Sequence, residues 1–73
     1  MTIDELLSRV LKIPATRITD ATTMKDVPEW DSLKHMELIV AIEQHYTITL
    51  TGDEIADMTS VGVIKSTLTR HGV

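Results

Sequence analysis

Within the stretch "EWDSLKHMELI", residues 29–39, Asp31, Ser32 and His35 lie close together and are of types that move protons or take on a covalent group. An acid, a hydroxyl and an imidazole are the parts of a hydrolase triad, in which the imidazole takes the hydroxyl proton and the carboxylate orients the imidazole. The types match and the placement does not. A triad needs an oriented base, donors for an oxyanion and a substrate cleft, and near neighbours at the start of an exposed helix supply none of these. No catalytic residue is assigned, and His35 is expected to be a solvated surface histidine. His45 lies too far round the same helix to share a metal with His35, so no metal site is expected.

A hydroxyl at a helix start has a second chemistry. The free N–H groups and the positive dipole end there favour an anion, so a phosphate ester on Ser32 would be well placed. A plain serine cap is the commoner explanation of such a residue, and on the residues alone it is favoured over modification.

The elements that must position this serine follow from apolar spacing. Ile3, Leu6, Leu7, Val10 and Leu11 recur at helical intervals and predict a first helix, with Thr2 and Glu5 at capping-box spacing and Pro14 marking its end. Residues 14–31 show no sustained period and predict a long loop, tacked to the core by Ile18, Met24 and Val27, that is functional or carries a short helical turn. A second helix is expected from about Ser32 to Tyr46, capped by Asp31 or Ser32, with Leu38, Ile39, Ile42 and Tyr46 on one face. Leu33, Met36 and Val40 form a second apolar row, expected to stay partly exposed for a partner.

Thr51 and Glu54 open a short third helix with Ile55 and Met58 as anchors, and Ser60 caps a fourth carrying Val61, Ile64 and Leu68. Ile48 and Leu50 alternate like a strand but have no partner strand. The expectation is an all-α fold, a small four-helix bundle with a long loop between the first two helices and a short third one, in a single domain over residues 1–73.

Length and charge narrow the functions. Seventy-three residues make a thin core, and the chain has no cysteine to brace it or to act as nucleophile. Nothing approaches the roughly 18 apolar residues of a membrane span, so a cytoplasmic protein with no membrane role is expected. Residues 20–57 hold nine acids against Lys25 and Lys34, a balance of −7 within a total of −4. Such a middle disfavours nucleic acid and favours basic protein surfaces.

With these residues in view, the chain from about Ile3 to Arg70 resembles the acyl carrier proteins: "DSL" followed by "MELIVAIEQHY" is similar to their phosphopantetheine attachment motif at the head of the second helix. The resemblance implies that Ser32 is esterified by the 4'-phosphopantetheine half of coenzyme A through a separate phosphopantetheinyl transferase. An acyl group would then ride as a thioester on the arm, and the protein would catalyse nothing itself. Asp31 would help position the transferase and its cation. Leu33, Met36, Glu37 and Val40 would face acyl-loading, acyl-transferring or acyl-modifying enzymes. Leu38, Ile39, Ile42, Ile64 and Leu68 would line a core able to shelter an acyl chain. A monomer is expected.

Two departures from fatty-acid carriers stand out. Lys34 and His35 follow "DSL" where those proteins keep acidic or small residues, which lowers the negative potential beside the arm and suggests a dedicated pathway. "VPEWDS" replaces a glycine-containing approach, so Trp30 sits beside the attachment position, as a plug over the core or in contact with the arm or a partner. An aminoacyl or peptidyl carrier, and a helical interaction module whose serine stays unmodified, are the alternatives.

Overall fold

The first apolar repeat becomes α1 (Ile3–Leu11) in the computed structural model, which describes residues 2–73. Thr2 caps it, accepting the Glu5 N–H at 3.2 Å. Leu6, Leu7 and Leu11 are buried, and Lys12 ends the helix in a left-handed conformation.

The following loop is ordered by backbone bonds rather than by a repeat of its own. Ala15–Arg17 makes one 3-10 turn after Pro14, and Ile18, Val27 and Trp30 enter the core. Farther along, the loop is stitched to the start of the last helix: Met24 N–H donates to the Thr59 carbonyl at 2.9 Å, Val61 N–H to Thr22 at 2.9 Å and Gly62 N–H to Asp20 at 3.0 Å. Gly62 is required by that approach, since a Cβ there would lie 3.0 Å from the Asp20 carbonyl oxygen. Lys65 adds an ionic clasp, 2.7 Å from Asp20 and 3.4 Å from Asp4. The bond to Asp20, and then Asp4, raises the affinity of that ammonium for its proton above the ordinary lysine value.

Helix α2 (Ser32–Tyr46), the longest of the four at 15 residues, buries Leu38, Ile39 and Ile42. Asp31 is its cap, which makes Ser32 the first helical residue. Helix α3 (Gly52–Asp57) is six residues long and has both bonds of a capping box between Thr51 and Glu54. It buries no residue of its own; Met58, just past its end, is fully buried. Helix α4 (Val61–Arg70) starts at Ser60, whose hydroxyl accepts the Val63 N–H at 3.2 Å, and buries Val61, Ile64, Thr67 and Leu68. Ile48 and Leu50 form no strand. The fold is all-α with the expected four helices, the long first loop and the short α3. Among the described residues no helix is long and apolar enough to cross a membrane.

Candidate functional site

Ser32 is exposed at the head of a 15-residue helix, and the geometry there is set by its neighbour. Asp31 adopts extended backbone and its Oδ1 accepts the Lys34 N–H at 2.9 Å, while its carbonyl accepts the His35 N–H at 2.8 Å and starts the helical ladder. Helix geometry leaves the Ser32 and Leu33 amides outside that ladder, at the positive end of the dipole. A phosphate ester on an exposed hydroxyl in this place fits, with a dipole contribution of about 0.3–1 kcal/mol.

His35 departs from expectation. It is 8% exposed, not solvated, and both ring nitrogens are engaged. The Trp30 indole N–H donates to Nδ1 at 3.1 Å, and Nε2 lies 2.8 Å from the Ile55 carbonyl oxygen in α3. An indole N–H can only donate and a carbonyl can only accept, so the proton is on Nε2 and the ring is neutral. No nitrogen is left for Ser32, and Asp31 is spent on the cap, so the three residues do not assemble into a triad. The signal for this burial was in the sequence: His35 is spaced three, four and seven residues from Leu38, Ile39 and Ile42, which places it on the core face.

Trp30 follows from His35. It is 2% exposed and lies among the core side chains, so its indole is a plug over the core and not a contact for a partner. Burying an indole requires an acceptor for its N–H, and His35 supplies it.

Leu33, Met36 and Val40 are 69%, 50% and 49% exposed and form the anticipated open row along α2. Glu37 stands beside the row, paired with Lys34 at 3.0 Å. On the other side of the helix, Leu38, Ile39 and Ile42 pack with Ile64 and Leu68 in the core. Glu54 of α3 is held below the usual carboxylate range, first by the Thr51 backbone N–H and then by His71, whose Nε2 lies 2.9 Å from it.

A family model described as a phosphopantetheine attachment site matches residues 2–68. The chain belongs to that family. It is a phosphopantetheine carrier protein, and 4'-phosphopantetheine is its prosthetic group. The solved structure of a holo acyl carrier protein from Geobacter metallireducens is similar to it, with 30% identity and a TM-score of 0.78 over 94% of this chain and 84% of that one. No curated protein matches the carrier. Carriers of this family bring substrates to enzymes without transforming them, and their partners include a phosphopantetheinyl transferase and modifying enzymes.

Proposed function

We propose that Ser32 bears the phosphopantetheine arm and that this carrier holds acyl intermediates on it for the enzymes of a biosynthetic pathway. The observation that carries the reading is the exposed Ser32 hydroxyl as the first residue of α2, with the open row Leu33, Met36 and Val40 running directly away from it. Ser32 Oγ would attack the pantetheine-side phosphorus of coenzyme A's diphosphate, losing its proton as the phosphoanhydride P–O bond breaks and adenosine 3',5'-bisphosphate leaves. The arm's terminal thiol supplies thioester chemistry.

The neighbouring residues have complementary roles. Asp31 keeps the first turn closed and faces the transferase and its divalent cation. Leu33, Met36 and Val40 give a partner enzyme apolar contact beside the arm, and Glu37 gives it a negative charge to meet. The acidic balance of residues 20–57 favours partners with basic surfaces.

Incubation of the purified chain with coenzyme A, magnesium and a broad phosphopantetheinyl transferase should add one phosphopantetheine by mass. Ser32→Ala should take none. An alanine variant that is still modified, or a wild type that several transferases leave unmodified, would reject Ser32 as the attachment point.

A further inference from the structure

Building on the assignment of the arm to Ser32, we propose that His35 is a positioning residue for reaction at that serine, fixing Trp30 and the turn that delivers the hydroxyl. Residues 30–35 are closed into a ring by three bonds with Ser32 at the exposed apex. The Trp30 indole donates to the His35 ring at 3.1 Å, the Asp31 carbonyl accepts from His35 N–H at 2.8 Å and the Asp31 carboxylate accepts from Lys34 N–H at 2.9 Å. Trp30 is pinned from the other direction as well, its backbone N–H donating to the Val27 carbonyl at 2.9 Å.

The far end of the imidazole anchors this ring to the bundle. Nε2–H donates to the Ile55 carbonyl, which the Met58 N–H also reaches at 3.3 Å as α3 ends. A neutral imidazole presents an acceptor and a donor at separated points of one rigid ring, so it can receive from an indole and give to a carbonyl at once. A polar ring on the face occupied by Leu38, Ile39 and Ile42 is otherwise unfavourable, and only these two bonds satisfy it. A serine that must attack coenzyme A bound on another enzyme reacts faster when its backbone is already set, because misplacement lowers the fraction of productive encounters.

The test separates the two ends of the ring. In His35→Asn the amide oxygen takes the place of Nδ1 and still accepts from Trp30, whereas in His35→Gln the amide lies near the place of Nε2 and leaves the indole without an acceptor. Trp30→Phe keeps the plug and removes the donor. Ile13→Val perturbs the buried core elsewhere, just past α1, and controls for stability. Phosphopantetheine transfer is measured by mass for each variant under one transferase.

The expected result is kcat down about tenfold for His35→Gln and Trp30→Phe, within about threefold of wild type for His35→Asn, and KM unchanged throughout. Ile13→Val should match wild type. Normal kcat in His35→Gln, an equal loss in His35→Asn, or a loss in Ile13→Val overturns the proposal. Nitrogen NMR of the wild type gives a reading independent of the variants: an Nε2–H tautomer with a slowly exchanging indole proton is expected, and the opposite tautomer refutes it. Failure of Ser32 as the attachment point is seen separately, as modification that survives Ser32→Ala.

Discussion

Lys34 Nζ lies 3.0 Å from Glu37 Oε2 across one turn of α2, so the cation nearest Ser32 already shares its charge with a carboxylate. By sequence, Lys34 and His35 count together as positive charge beside the arm. Folding removes His35 from that sum, because its ring is buried and neutral. Only Lys34 is a surface charge that a partner can meet. Lys34→Glu should therefore speed acyl transfer from a fatty-acid-type enzyme with a basic docking face by about threefold at low salt, with the gain shrinking as salt rises. Transfer rates at two ionic strengths check it; equal rates at low salt would leave Lys34 without a role in partner choice.

His35→Ala should be among the most damaging single changes. It strands the Trp30 indole N–H and weakens the bonding of the Ile55 carbonyl in a buried place, for a loss of about 2–4 kcal/mol. A domain this small has little to spare. Urea unfolding followed by the fluorescence of Trp30, the chain's one tryptophan, measures it.

The two helix-start glycines should respond oppositely to alanine. At Gly62 the new Cβ would press on the Asp20 carbonyl, and overpacking against backbone is expected to cost about 1–3 kcal/mol. At Gly52 nothing lies within 4 Å, so Gly52→Ala should be neutral or add about 0.4–1 kcal/mol by restricting the unfolded chain. Thermal or urea midpoints of the two variants decide it.

Acid should act on α3 through Glu54. Its proton affinity is lowered, first by the Thr51 N–H and then by His71, so its titration followed by NMR should have a midpoint below the ordinary 4.5. A carboxylate favoured in the folded state stabilises the fold above that ordinary value, and the contribution fades as pH falls through the folded midpoint. Glu54→Gln should flatten that part of the stability profile. A midpoint at or above 4.5 would contradict the assigned bonds.

The helices were legible because each carries its own local code. Thr2, Thr51 and Ser60 cap where their spacing says they should, and Leu33, Met36 and Val40 are as open as a second row on a one-sided helix must be. His35 is harder to read, because its closeness to Ser32 at the head of an exposed helix suggests a surface residue while its distances to Leu38, Ile39 and Ile42 mark the core face. Its partner Trp30 lies outside the helix, where periodicity says nothing. The docking of residues 20–24 onto the start of α4 was hidden for a different reason: it is made of main-chain groups, which every residue has and no side-chain pattern reveals.

That docking also sets an order of events. Bonds from Asp20, Thr22 and Met24 to Gly62, Val61 and Thr59 close a stretch of roughly 40 residues, and such closure is entropically slow beside the winding of a single helix. Helix α2 can therefore wind before its approach segment has settled. The amides of Met24, Val61 and Gly62 should lose hydrogen-exchange protection together, as one cooperative patch, since each depends on the same docking. In a chain still waiting for α4 to dock, the transferase would meet Ser32 on a tether that has yet to find its place.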